Sequence, residues 1–181
     1  MTTDRSVATK AVLDDLDRVW RRERGRCEGL TQDEYLWEPV ADCWSVRPDG
    51  DGVWRAVQPR LDPEPELAPV TTIAWRLWHI ASDCLADYAS RGLGDWPLAV
   101  EGTDWYESVD DGLAVTDQAW AGFRSGLDDL GEAGLWGPLG EQHDDWAAEP
   151  WARLAIHALG EVAHHGGEIG LLRDLWAHGL R

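Results

Sequence analysis

From Pro150 to Gly179 the sequence holds a helical period without a break, and a helix of that length needs other elements to cover its apolar face. Pro150 suits the first turn and Gly179 the position just past the end. An α-helix advances about 100° per residue, so Leu154, Val162, Ile169, Leu172 and Trp176 share an arc of roughly 60–140° measured from residue 157. That arc predicts the core-facing side.

Two ionisable residues fall on the same side of the helix as this arc. His165 lies near the arc's axis at about 80°, and Glu161 at about 40°, whereas His157 and His164 sit at or beyond its edge. Glu161 and His165, four residues apart, reach toward one point from neighbouring turns. Burying both without partners would cost several kcal/mol. A Glu–His ion pair would offset that cost, and so would a divalent cation bonded to both. Gly166 and Gly167 follow directly, each costing about 1 kcal/mol relative to alanine in a helix interior. Close approach of a neighbouring helix and clearance for a ligand both account for them.

The rest of the chain predicts three further main helices. Residues 6–24 place Val12, Leu16, Val19 and Trp20 on one face. A helix starting near Thr71 or Thr72 runs through "TTIAWRLWHIASDCLADYAS" to about Ser90, and "DQAWAGFRSGLDDL" forms another, capped by Thr116 and ended by Gly131. Thr31 and Glu34 match a capping box opening a short helix that Pro39 stops. "CWSVRPDGDGVWRAVQP" reads as a small β-hairpin-like excursion around a Pro-Asp-Gly-Asp-Gly turn. "QPRLDPEPELAP" reads as a stiff extended connection, residues 91–113 as a Gly- and Asp-rich loop, and "GEAGLWGPLGEQHDDW" as an irregular connector. The expected fold is all-α: one domain, residues 1–181, built as an up-down-up-down four-helix bundle with long loops.

A metal would need a third protein ligand. His178 lies among the final residues, and His143 in the acidic "GEQHDDW" faces solvent on this reading. His79, in "AWRLWHIAS" beside Trp75 and Trp78, is helical and is the remaining choice; it stands away from that helix's apolar arc, where it would either border a cavity between helices or serve structure alone. Cys84 falls on the apolar arc of the same helix and reads as structural. Glu161-x-x-His164 matches a carboxylate-bridged di-iron pattern, but no second copy occurs and the wheel turns His164 outward.

Sixteen basic against 34 acidic residues give a net charge of −18, which argues against nucleic acid and anionic membranes as partners. Arg21, Arg22, Arg24 and Arg26 read as a solvated helix face. Three cysteines without a C-x-x-C pair, and no apolar leader or membrane-length run, point to the cytoplasm. Thirteen tryptophans against one phenylalanine suggest that indoles take over the core role of Phe, some lining a cavity rim.

A histidine in the second long helix, with a last helix reading ligand-x-x-x-His-Gly-Gly-Glu-Ile, resembles the DinB/YfiT-like superfamily. The similarity extends through "YLWEPVADCWSVRP", "TTIAWRLWHIA" and "EVAHHGGEIGLLRDL", which together resemble an actinobacterial DinB-like subgroup. The resemblance implies a metal held by His79, Glu161 and His165. Most of the family uses three histidines; glutamate in the middle place is similar to the mycothiol-dependent maleylpyruvate isomerases. Those isomerases carry an additional C-terminal domain, whereas this sequence stops at Arg181, so isomerase activity itself is not expected.

The implied protein is a divalent-metal-dependent enzyme, with zinc or nickel as the metal and a small-molecule substrate. It would transfer a low-molecular-weight thiol, mycothiol, to an electrophile; hydrolysis by an activated water is the next expectation. Glu168 and His164 are candidates to orient the ligands, and Trp75 and Trp78 to line the pocket. A non-catalytic metal-binding stress-response protein, as a homodimer, is the contrasting reading.

Overall fold

A computed structural model describes residues 5–57, 69–94 and 102–180. Helix α1 (Val7–Arg26) starts where the Ser6 hydroxyl accepts the Thr9 N–H, and buries Leu13, Leu16 and Val19. Each leucine fully removed from water contributes roughly 1.5–3 kcal/mol. Helix α2 (Gln32–Tyr35) opens with the expected reciprocal cap, Thr31 and Glu34 bonding each other's backbone. It closes at Tyr35, before Pro39 comes into play.

Strands β1 (Val46–Pro48) and β2 (Trp54–Ala56) pair antiparallel, with Arg47 opposite Arg55. Their turn is held by Asp49, whose Oδ1 accepts the N–H groups of Asp51 and Val53. The proline-rich connection falls outside the described residues except for Pro69, as do residues 95–101 of the Gly- and Asp-rich loop.

The second rod is α3 (Ile73–Trp78), then a π-helical segment (His79–Ala86), then α4 (Asp87–Ser90), continuous from the Thr72 cap. The sequence predicted an unbroken α-helix here; eight residues instead take the wider π turn, in which each N–H bonds five residues back.

Helix α5 (Val109–Asp129) begins eight residues earlier than expected, capped by Ser108. Thr116 is not a cap: it is buried inside the helix, donating to the Gly112 carbonyl at 2.7 Å. Asp110, Asp111 and Gly112 read as loop. The acidic pair suits a first turn, and Gly112 is a notch, since a Cβ there would sit 2.6 Å from the Tyr35 hydroxyl. The connector after it is partly ordered, as α6 (Gly131–Leu135) and a 3₁₀ turn (Glu141–Trp146).

Helix α7 (Trp151–Ala177) follows the Pro150 cap and ends before Gly179, whose φ of +74° suits glycine. It packs against α1, α3 and the π-helical segment, while α5 covers the other side of the second rod. One core joins these elements, with Tyr35, Trp75, Trp78, Phe123 and Trp151 buried in it. The Arg21–Arg26 run is not simply solvated: Arg24 reaches α5 through a two-toothed ion pair with Asp117, and Arg26 pairs with Asp174 of α7. Among the described residues no helix is long and apolar enough to cross a membrane.

Candidate metal centre

Three residues from two rods meet at one carboxylate oxygen. Oε2 of Glu161 lies 3.1 Å from Nε2 of His165 and 3.5 Å from Nε2 of His79. The two imidazoles stand edge to face, their centroids 4.6 Å apart. On α7 the wheel holds: the His165 side chain is 9% exposed and that of His164 68%.

Each histidine offers Nε2 to the shared point and turns Nδ1 to a carboxylate of its own. Nδ1 of His165 is 2.7 Å from Oε2 of Glu168, and Nδ1 of His79 is 3.0 Å from Oδ2 of Asp83. The Glu168 bond at Nδ1 of His165 favours the tautomer that leaves its Nε2 lone pair free for a metal, whereas Asp83 stands at ion-pair distance from Nδ1 of His79 without hydrogen-bond alignment. Glu168 is held in turn by Arg76, with contacts of 2.8 and 3.0 Å. Burial pushes the Glu168 carboxyl up, but the bond from His165 and the charge of Arg76 outweigh it and leave it below the usual carboxylate value. Burial also draws the Arg76 guanidinium down, against the pull of Glu168 and Glu161. His164 lies 3.5 Å from the far oxygen of Glu168 and points to solvent.

Trp75 and Trp78 are buried rather than open to a rim. Trp75 stacks on the His79 ring at 5.3 Å and 10°, and donates its own N–H to the Val57 carbonyl. Together they wall the histidine off on one side.

Cys84, read as structural, stands in the centre. Its Sγ is 3.6 Å from Nε2 of His79 and 4.0 Å from Oε2 of Glu161. The π turn explains both the placement and why it escaped notice: residue 84 is five after 79, a spacing that comes together when the helix closes one residue later. Burial and the Glu161 carboxylate push this thiol well above its ordinary value. Two donor groups of metal-binding size result, His79–Cys84–Glu161 and His164–His165–Glu168, meeting through the Glu161–His165 contact.

On the other side of Glu161 its second oxygen is 3.7 Å from His157, which lines a cavity of about 240 Å³ with Tyr88, Arg91, His143 and Trp146. His143 does not face solvent as expected; it is 7% exposed and packs edge-on against Trp151. Burial, with the charge of Arg91, holds its imidazole below the ordinary histidine value.

A model of the DinB superfamily matches residues 15–169, from within α1 to within α7, taking in all three residues. The chain belongs to the DinB superfamily. Searches of curated proteins and of solved structures gave no significant match. Within this DinB chain, periodicity marked Glu161 and His165, while Glu168 entered only as a candidate to orient the ligands. The same periodicity set Asp83 beside His79, but it gave no sign of the roles of Cys84 or Arg76, which depend on the π turn and on a contact between rods.

Proposed function

We propose that this DinB protein is a divalent-metal-dependent enzyme with His79, Glu161 and His165 as ligands, transferring a low-molecular-weight thiol such as mycothiol to a small electrophile. The observation that supports it most is the convergence of two Nε2 atoms on one Glu161 oxygen, each histidine backed by its own carboxylate. Two imidazoles and a carboxylate suit zinc or nickel. Such an ion, when bound, supplies a Lewis acid that lowers the pKa of a thiol or water ligand.

The chain's own residues do the rest. Glu168 holds the ring tautomer of His165, Asp83 places a negative charge beside His79, and Arg76 keeps Glu168 ionised and in place. Trp75 and Trp78 keep water from the back of His79. The cavity beside His157 is the room for the electrophile, with Arg91, balanced by Asp87, at its edge. The thiol assignment draws on the His/Glu/His order that resembles the mycothiol-dependent isomerases. The fold inferred with it is an up-down-up-down bundle of α1, the second rod, α5 and α7, acting in the cytoplasm.

Elemental analysis of the purified chain beside His79→Ala, Glu161→Gln and His165→Ala tests the centre. Stoichiometric zinc or nickel in wild type, lost in all three variants, is expected; equal metal in all four preparations would sink the site. Turnover of electrophiles that requires added thiol separates transfer from hydrolysis.

A non-catalytic reading, with the metal clamping the second rod to α7, has one observation in its favour: Cys84 stands beside two of the three ligands, His79 and Glu161.

A further inference from the structure

We infer that Cys84 is a fourth protein ligand of this centre, so that His79, Cys84, Glu161 and His165 together hold a thiophilic divalent ion of the zinc class. The inference rests on the three-residue centre proposed above and adds to it a sulfur donor.

Geometry carries the argument. A zinc-type ion binds sulfur at about 2.3 Å and nitrogen or oxygen at about 2.0–2.2 Å, so donors sharing it stand roughly 3.3–3.6 Å apart. His79, Cys84 and Glu161 form one closed set, with 3.6 Å from Cys84 to His79, 4.0 Å from Cys84 to Glu161 and 3.5 Å from His79 to Glu161, and His165 joins it through Glu161 at 3.1 Å. All lie within a few tenths of an ångström of one ion's span. Buried cysteines commonly serve as small apolar residues. This one differs because its sulfur faces two other ligating atoms rather than hydrocarbon alone. The backbone also departs from the α-helix over the interval between His79 and Cys84, and π turns occur frequently at functional sites.

Coordination replaces the S–H bond by a sulfur–metal bond, and the thiol proton leaves to solvent. A thiolate in the set favours zinc, cobalt or cadmium over magnesium and manganese, which prefer all-oxygen sites. It also supplies a fourth donor, so an incoming substrate thiol must either displace Cys84 or raise the coordination number.

Cobalt(II) loading of the full chain tests this without an assay of turnover. Visible d–d bands report binding by any donors, whereas a thiolate ligand adds an intense sulfur-to-cobalt band in the near ultraviolet. The near-ultraviolet band is expected in wild type and in Cys27→Ser/Cys43→Ser, where Cys84 is the sole remaining thiol. Cys84→Ser and Cys84→Ala should lose it while keeping the visible bands, with zinc affinity falling at least about 10–100-fold, the range seen when even an outer partner is removed. Visible bands alone in wild type would overturn the inference and leave the three-residue centre standing. A near-ultraviolet band that survives Cys84→Ser overturns it in favour of another cysteine. Absence of both kinds of band removes the centre and the inference together. Should the Cys84 variants fail to fold, the double variant decides.

Discussion

Gly166 and Gly167 look alike in sequence and do different things. A Cβ on Gly166 would sit 2.5–2.7 Å from the Glu23 side chain, including its own Cβ and Cγ, while a Cβ on Gly167 meets nothing within 4 Å. Gly166 is therefore the close approach of α1, and Gly170 repeats it against Arg26 one turn on. Gly166→Ala should destabilise the fold by about 1–3 kcal/mol through overpacking, and Gly167→Ala should stabilise it by up to about 1 kcal/mol through helix propensity. Urea midpoints of the two variants check the pair; equal shifts of one sign would contradict the packing described. At this scale α7 was legible, because an undistorted α-helix obeys the 100° step that separated His165 from His164. Which glycine met a neighbour was not, since that depends on where α1 lies.

At the scale of elements, Arg173 joins three of them. It pairs with Glu34 of α2 and donates to the carbonyls of Arg26 and Glu28 at the end of α1. Burial pushes the Glu34 carboxyl up, but the Thr31 backbone N–H and Arg173 outweigh it, so its folded value lies below the unfolded one. The folded state then binds this proton less readily than the unfolded chain, and the stability it contributes is complete above the ordinary carboxylate range. It is lost as pH falls through the folded value. Wild type should exceed Glu34→Gln in unfolding free energy at neutral pH, with the gap closing as the solution is taken below about pH 4. A gap independent of pH would count against the pairing. Elements bounded by side-chain caps, such as α2 at Thr31, could be read in advance. The start of α5 could not, because Gly112 looks like a breaker until Tyr35 is seen to need the space. The π-helical segment was equally hidden: apolar periodicity sampled at 100° contains nothing that announces a wider turn.

Taken whole, the molecule places its candidate centre where the second rod faces α7, with donors from both. A ligand that binds only the folded state stabilises it by about 2.7 kcal/mol at a hundred times its dissociation constant. Zinc added at that level should raise the unfolding free energy of the chelator-treated wild type by about this amount, and that of His165→Ala hardly at all. Calorimetric scans with and without the ion check it, and an equal rise in both would point to binding elsewhere. The acidic surface, −18 overall, favours approach of cations to any site and makes that control necessary.

Because the backbone bonds from His79 to Ala86 reach five residues rather than four, what surrounds Glu161 is decided partly by backbone pitch. Inserting or deleting one residue between 79 and 84 would swing the sulfur to another face while leaving both histidines and the glutamate untouched. Relatives that share those three residues could thus differ in ligand chemistry through chain length alone, a change that comparing residue identities at aligned positions would overlook.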